Sequence, residues 1–197
     1  MYKGGHKMEM KANVVLDAKG LACPMPIVKT KKEMTSLTPG DVLEVQATDQ
    51  GSTADLKAWA ESAGHQYLGT IEEANVLKHY VRKTSGDDEV ETKHPHVTSN
   101  DQLTEKLAAN EFATLIDVRE SVEYAFDHIP EAINIPLGEL QERANELDKN
   151  QEVYLICRTG NRSDVAARQL AALGFERVYN VVPGMHKWTG KTTGAQR

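Results

Sequence analysis

The 197-residue chain is long enough for two domains of roughly 80 to 110 residues each, with 40% hydrophobic and 26% charged residues. Its net charge of −6 is uneven, because residues 1–84 carry +1 and residues 85–197 carry −7, which disfavours a nucleic-acid-binding surface on the second half. The sequence contains no apolar run of the roughly 18 to 20 residues that a membrane helix needs, and two cysteines exclude a disulfide framework. We therefore expect a cytoplasmic protein with no membrane or nucleic-acid partner.

The first half of the chain predicts a small α/β domain over residues 13–83. Residues 1–12 are basic and lack the apolar core of a signal peptide, so we expect a disordered leader there. The predicted elements that follow are a strand at 14–16, a helix at 26–37, a strand at 42–47, a helix capped by Ser52 and ended by Gly64, and paired strands at 65–72 and 76–83. The order β-α-β-α-β-β implies a two-layer sandwich.

Residues 84–96 are polar and aperiodic, which is typical of a linker. This segment contains His94 and His96 on either side of a proline. A pair of histidines without a third ligand nearby indicates a solvated linker more often than a metal site. No metal site is therefore expected here.

The second half, residues 97–192, alternates helices with short apolar strands. Ser99 and Gln102 resemble a capping box at the start of a helix that reaches Ala109. The further predicted elements are a strand at 114–118, an extended piece at 134–136, a helix at 140–147, a strand at 153–156, a helix at 163–173 and a strand at 177–181. Apolar strands separated by helices indicate a parallel sheet with helices on both faces.

Cys157 directly follows the predicted strand at 153–156 and opens a loop towards the next helix. The loop contains Cys157, Arg158, Thr159, Gly160, Asn161, Arg162 and Ser163. Anion and active sites commonly lie in such loops, between the carboxyl end of a parallel strand and a helix N-terminus. Gly160 lets successive backbone N–H groups point inward, and the two arginines place positive charge beside the sulfur. The loop should therefore favour a thiolate and hold a terminal sulfur or an oxyanion against it.

This loop resembles the active-site loop of the rhodanese family, and the similarity extends from about His96 to Trp188. The supporting matches lie at residues 115–120, 123–124, 128–136 and 183–185. The resemblance implies a sulfurtransferase that carries a persulfide on Cys157, cradled by the backbone amides of residues 158–163. Asp127 and Pro183 depart from the family pattern, which has glycine at both places, and this puts the local loop geometry in question.

Two questions about the second half remain open at this stage. Asp117 and Arg119 recur with the fold's pattern, either as a structural ion pair or as catalytic groups. A related architecture uses Cys-x5-Arg to bind phosphate and dephosphorylate proteins. Here only four residues separate Cys157 from Arg162, and Ile156 occupies the position where those enzymes carry histidine. The shorter loop favours sulfur over phosphate.

Cys23 lies just ahead of a helix whose first turn contains prolines. Pro24 and Pro26 suit a helix start, so Cys23 is expected at or just before the N-cap, with its thiolate facing the positive end of the helix. The run from Asp17 to Pro26, which includes Gly-Leu-Ala-Cys-Pro-Met-Pro, resembles the signature of the TusA/SirA family of small sulfur carriers. The resemblance covers residues 13–83 and implies that Cys23 carries a persulfide.

Together these resemblances predict a sulfur-carrier domain fused to a single-domain rhodanese. Cys157 would take sulfane sulfur from thiosulfate, polysulfide or a small persulfide and pass it to a thiol acceptor, for which Cys23 is a candidate. A covalent persulfide requires no cofactor. The expected partners are small sulfur donors, thiol acceptors and another sulfur-trafficking protein.

Two alternatives remain. The protein could be a persulfide sensor or delivery adaptor with little turnover. A thiol oxidoreductase that forms a Cys23–Cys157 disulfide is disfavoured, because the chain contains no Cys-x-x-Cys pair.

Overall fold

A computed structural model describes residues 10–84, 92–110 and 114–195. The chain divides into two compact units at residues 87 and 88. Most of the predicted leader, and residues 85–91 of the predicted linker, lie outside the described residues. Within the described ranges, no helix combines the length and apolar character that a membrane span requires.

The first unit has the predicted order β-α-β-α-β-β. Its elements are β1 (Val14–Asp17), α1 (Met25–Ser36), β2 (Val42–Ala47), α2 (Ser52–Ser62), β3 (Gln66–Glu73) and β4 (Val76–Arg82). The sheet order is β1-β2-β4-β3, in which β1 and β2 are parallel and the other pairs are antiparallel. Met34 of α1 and Leu56 of α2 pack into one cluster with Leu43 and Val45 of β2. Both helices therefore cover the same face of the sheet, which confirms the two-layer sandwich.

The start of α2 differs from the sequence prediction. Gly51 is the N-cap and Ser52 is the first helical residue, so the Ser52 side chain does not cap the helix. Its hydroxyl instead donates to the backbone oxygen of Asp49 at 2.5 Å and contacts Nε2 of His79 at 2.9 Å. His79 lies 27 residues after Ser52, so no local sequence pattern indicates this contact.

His79 is the centre of a buried polar network that joins β3, β4 and α2. The side chain is 0% exposed, and its Nδ1 lies 2.9 Å from the Thr70 hydroxyl and 3.0 Å from the Tyr67 hydroxyl. Both ring nitrogens therefore have polar partners. Burial lowers the pKa of His79 to about 4, so the ring is neutral at physiological pH.

The second unit is built on a parallel five-stranded sheet in the order β5-β9-β8-β6-β7. Its elements are β5 (Val97–Ser99), α3 (Asn100–Ala109), β6 (Thr114–Asp117), α4 (Ser121–Phe126), β7 (Ile133–Asn134), α5 (Leu140–Arg143), β8 (Val153–Ile156), α6 (Asn161–Ala172) and β9 (Val178–Val182), with 3-10 turns at Ala144–Glu146 and Met185–Lys187. Alternate side chains of β8 enter different apolar clusters. Leu155 packs with Leu170 of α6, whereas Tyr154 packs with Leu103 of α3. Helices therefore cover both faces, as predicted.

Most predicted elements of this unit are present, and the capping box of Ser99 and Gln102 is formed. The strand β5, the helix α4 and the 3-10 turn at Met185–Lys187 were not predicted. The predicted helix at 140–147 is a single α-helical turn followed by a 3-10 turn. The helix α6 begins two residues earlier than predicted, because Gly160 adopts φ +109° and serves as its N-cap.

His94 lies in the predicted linker but is not solvated as predicted. His94 is only 6% exposed, and its Nε2 lies 2.9 Å from the backbone oxygen of Val178. The backbone N–H groups of Lys93 and His94 both donate to Oδ1 of Asp164 at 2.8 Å. An acidic side chain in the first turn of α6 therefore fixes this segment to the second unit.

Two candidate cysteine sites

Cys157 lies at the carboxyl end of β8, where the sheet meets the N-terminus of α6. It is 1% exposed. The Gly160 N–H donates to its Sγ at 3.1 Å, and the Ser163 hydroxyl donates to the same atom at 3.2 Å. The remaining loop residues, Arg158, Thr159, Asn161 and Arg162, are half-buried. Two hydrogen-bond donors therefore converge on this one sulfur beside the N-terminus of α6.

Gly160 takes a conformation that side chains rarely adopt, with φ +109°. Its carbonyl oxygen accepts a hydrogen bond of 3.1 Å from Nδ2 of Asn180, a fully buried side chain of β9. The neighbouring strand therefore holds the middle of the Cys157 loop in place. Sequence reasoning assigned no role to Asn180.

The turn after β9 supports the Cys157 loop from behind. The N–H of Met185 donates to the Cys157 oxygen at 2.9 Å, and the N–H of His186 donates to the Arg158 oxygen at 2.8 Å. Gly184 has φ +78°, and a Cβ there would overlap the Cys157 oxygen and lie 3.0 Å from the Arg158 oxygen. This close approach requires glycine at position 184.

Asn100, at the start of α3, holds Gly184 through both of its amide atoms. Its Nδ2 donates to the Gly184 oxygen at 2.9 Å, and its Oδ1 accepts from the Gly184 N–H at 3.2 Å. The supporting turn therefore needs Gly184 but places no glycine requirement on Pro183. Asp127 has φ −162°, an extended backbone that any residue adopts, so aspartate imposes no backbone strain at that position.

Arg162 is positioned differently from the sequence prediction. Its guanidinium donates to both carboxylate oxygens of Glu123 on α4, at 2.7 and 3.0 Å. Burial alone would lower the pKa of Arg162, but the Glu123 carboxylate and, less strongly, the Cys157 sulfur raise it above its ordinary value. Arg162 is thus within electrostatic reach of the sulfur, but its charge is engaged by a carboxylate.

Asp117 and Arg119 form a buried ion pair, which agrees with the structural alternative of the two that the sequence left open. Nη2 of Arg119 lies 2.6 Å from Oδ2 of Asp117, and the side chains are 6% and 1% exposed. Nη2 also donates to the Asp127 oxygen at 2.6 Å. The pair therefore fixes the chain from β6 to the end of α4.

Cys23 is exposed and immediately precedes Pro24, the N-cap of α1. The sequence predicted a thiolate facing the helix end, but the acidic side chains of the neighbouring segment oppose one. A hydrogen bond to the Asp55 carboxylate, followed by desolvation and the negative charges of Asp55 and Asp49, raises the pKa of Cys23 above its ordinary value. The acidic surroundings therefore favour the protonated thiol of Cys23 over its thiolate.

The surface next to Cys23 is both apolar and basic. Met25 and Val28 of α1 are 44% and 52% exposed, and Lys29, Lys31 and Lys32 of the same helix are also exposed. The described part of the chain contains no group of three or more His, Cys, Asp or Glu side chains that could hold a metal ion.

These two sites define a class of protein that acts through cysteine sulfur. One cysteine is held by hydrogen-bond donors at the active-site edge of a parallel sheet, and the other is exposed at the start of a helix in a separate α/β sandwich.

Comparisons with known proteins agree with this class. A family model described as "Sulfurtransferase TusA" matches residues 14–83, and one described as "Rhodanese-like domain" matches residues 99–191. "Putative sulfur carrier protein YrkF" of Bacillus subtilis (strain 168) is 54% identical over 183 residues, which cover 93% of this chain and 99% of YrkF. "Sulfur carrier protein TusA" of Allochromatium vinosum is 39% identical over 69 residues, which cover 35% of this chain and 91% of that protein.

Among solved structures, the rhodanese-like domain protein from Staphylococcus aureus is 30% identical, with a TM-score of 0.48 over 51% of this chain and 99% of that chain. The extended match to YrkF and the two family models place the chain in the family of proteins that join a TusA-type sulfur-carrier domain to a rhodanese-like sulfurtransferase domain.

Proposed function

We propose that this protein loads sulfane sulfur from a small donor onto Cys157 and delivers it to a thiol acceptor. The proposed acceptor is Cys23, either of the same chain or of a second copy. The observation that carries this proposal is the double donation to the Cys157 sulfur, from the Gly160 N–H and the Ser163 hydroxyl. Such donors stabilise negative charge on the sulfur before attack and on the persulfide afterwards.

The loading step conserves atoms and charge. The Cys157 thiolate attacks the sulfane sulfur of the donor, a new S–S bond forms, and the S–S bond of the donor breaks. The leaving group takes the electron pair of that bond, as a thiolate from a persulfide or as sulfite from thiosulfate. No external oxidant or reductant is consumed.

The delivery step requires Cys23 to lose its proton. We expect that proton to go to solvent, because the Asp55 carboxylate raises the pKa of Cys23 and does not stabilise its thiolate. The Cys23 thiolate then attacks the terminal sulfur of the Cys157 persulfide, and the Cys157 thiolate leaves with the electron pair. From Cys23, the sulfur passes to a further sulfur-trafficking protein in the cytoplasm, which would contact the surface around Met25 and Val28.

A sensor or delivery adaptor with little turnover is the second candidate. The 1% exposure of Cys157 favours it, since a buried sulfur limits access for large acceptors, and so does the raised pKa of Cys23. Slow turnover together with stoichiometric persulfidation would select this candidate over an efficient enzyme.

Intact-mass analysis tests the proposal on the wild type, Cys23→Ser and Cys157→Ser after incubation with thiosulfate or glutathione persulfide. We expect an added sulfur of about 32 Da on the wild type and on Cys23→Ser. Cys157→Ser should remain unloaded at Cys23 and inactive when cyanide is the acceptor. If Cys157→Ser keeps its cyanide-dependent activity, Cys157 is not the primary nucleophile.

A further inference from the structure

The buried ion pair of Glu123 and Arg162 bears on which donors the Cys157 site accepts. It joins α4 to the first turn of α6 through two hydrogen bonds, of 2.7 and 3.0 Å. The Glu123 side chain is 0% exposed and that of Arg162 is 18% exposed. Water and salt screen such a pair only weakly, so the charge of Arg162 is compensated before any donor arrives.

A second buried ion pair acts on this one and adds no net charge to it. Arg119 interacts electrostatically with both Glu123 and Arg162, and it is itself paired with Asp117 at 2.6 Å. The charges of these four side chains cancel. Glu120 contributes a further negative charge that acts on Arg162.

The two classes of donor make different demands on this environment. Thiosulfate arrives as a dianion, and its leaving group, sulfite, carries two negative charges. A low-molecular-weight persulfide brings at most one negative charge at its sulfane sulfur, and its leaving group is a thiolate with a single charge. A cation whose charge is already compensated stabilises the sulfite leaving group less than a free cation would.

We propose that Glu123 determines donor specificity in the loading step, because by neutralising Arg162 it makes the Cys157 site prefer low-molecular-weight persulfides to thiosulfate. This inference rests on the proposed sulfurtransferase function. Glu123 acts through Arg162 and is therefore a positioning residue.

The test compares Glu123→Gln, Arg162→Gln and the double variant with the wild type. Cyanide is the acceptor, and kcat/KM is measured with thiosulfate and with glutathione persulfide. In Glu123→Gln, a neutral amide replaces the carboxylate and frees the charge of Arg162, so the ratio of thiosulfate to persulfide kcat/KM should rise about tenfold. In Arg162→Gln, an uncompensated carboxylate remains, and the same ratio should fall. The double variant keeps the pair neutral and should stay within about threefold of the wild-type ratio.

The change in the thiosulfate-to-persulfide ratio from variant to variant separates an effect of charge from a purely structural role of the ion pair. If the pair only holds the loop in shape, the three variants lose activity with both donors together and the ratio stays constant, which overturns the inference. Near-ultraviolet circular dichroism identifies any variant that fails to fold. If Glu123→Gln does not fold, a lowered ratio in Arg162→Gln beside a near-wild-type ratio in the double variant still decides the question. If the wild type loads Cys157 from neither donor, the proposed function itself is wrong.

Discussion

At the scale of single residues, the Cys157 sulfur is held by two donors of different kinds. The Gly160 N–H belongs to the backbone and depends on loop shape, whereas the Ser163 hydroxyl is a side-chain group that can be removed alone. Cys23 has the opposite environment, because its near neighbours Asp55 and Asp49 raise its pKa. The two thiols therefore lie in contrasting surroundings, one facing hydrogen-bond donors and the other facing acidic side chains.

Replacing Ser163 with alanine should slow the loading of Cys157. A hydrogen bond to a charged group is worth about 1.5 to 3 kcal/mol, so the rate constant for persulfide formation should fall by roughly tenfold or more. Stopped-flow measurement with glutathione persulfide reports this rate. Thr104→Ala is a matched control, since its hydroxyl belongs to the same unit but bonds to the Asn100 oxygen at 2.9 Å. Equal rates in Ser163→Ala and the wild type would remove Ser163 from the mechanism.

At the scale of elements, the strand-to-helix loop at Cys157 depends on parts of the chain that lie far away in sequence. The turn after β9 contacts the backbone of Cys157 and Arg158, and Asn100 of α3 holds that turn. The shape of the Cys157 loop is therefore set by packed neighbours as much as by the loop sequence.

Gly184→Ala tests this support. The new Cβ would overlap the Cys157 oxygen, and φ +78° is unfavourable for alanine, so we expect the second unit to lose about 2 kcal/mol or more of unfolding free energy. Sulfur loading should fall with it, because the loop must shift. Gly138→Ala is the control, since its Cβ would meet no atom within 4 Å. Urea unfolding and loading rates that match between the two variants would contradict the proposed support.

The elements that the sequence predicted are those with a clear local pattern. The alternation in residues 42–47, the apolar run at 153–156 and the capping box at Ser99 each predicted a real element. The strand β5 and the helix α4 have only three and six residues, too short for a period to emerge. The cysteine sites followed from family motifs, whereas the partners of those cysteines depend on tertiary contacts. Glu123 lies 39 residues from Arg162, and no spacing rule joins them.

The His79 network predicts a pH dependence of the first unit. The folded pKa of about 4 lies below the ordinary value of 6.5, so the unfolded chain binds the proton first as pH falls. The contribution of His79 to the free energy of unfolding is fully present above pH 6.5 and is lost between pH 6.5 and 4. This loss lowers the free energy of unfolding by about 3 kcal/mol.

Urea unfolding monitored by Trp59 fluorescence measures this effect in a Trp188→Phe background, since Trp59 packs in the first unit and Trp188 in the second. In this background, His79→Gln should have a lower free energy of unfolding at pH 7.5 than the parent protein. Its free energy of unfolding should also fall less between pH 7.5 and pH 4.5. His65, whose pKa is also lowered by burial, remains in both proteins, and its contribution cancels in the comparison. Parallel pH profiles would exclude His79 as the source.

At the scale of the whole molecule, the two units place complementary sulfur chemistry in one chain. One cysteine is buried among hydrogen-bond donors and the other is exposed beside a carboxylate. Covalent linkage raises the effective concentration of one thiol at the other when the chain between them permits their approach. The proposed transfer would proceed either within one chain or between two chains.

A mixing experiment separates these routes. Cys23→Ser protein is loaded with sulfur at Cys157, freed of excess donor and mixed with Cys157→Ser protein, whose Cys23 is intact. Transfer between chains should move the additional mass of about 32 Da to the peptide that contains Cys23, at a rate proportional to protein concentration. In the wild type, transfer within a chain should be independent of protein concentration. Asp55→Asn should speed either route, because it removes the carboxylate that raises the pKa of Cys23 and so increases the thiolate fraction. If Cys23 receives no sulfur from a loaded Cys157 in the wild type or in the mixture, the relay is wrong and the two units serve different donors or partners.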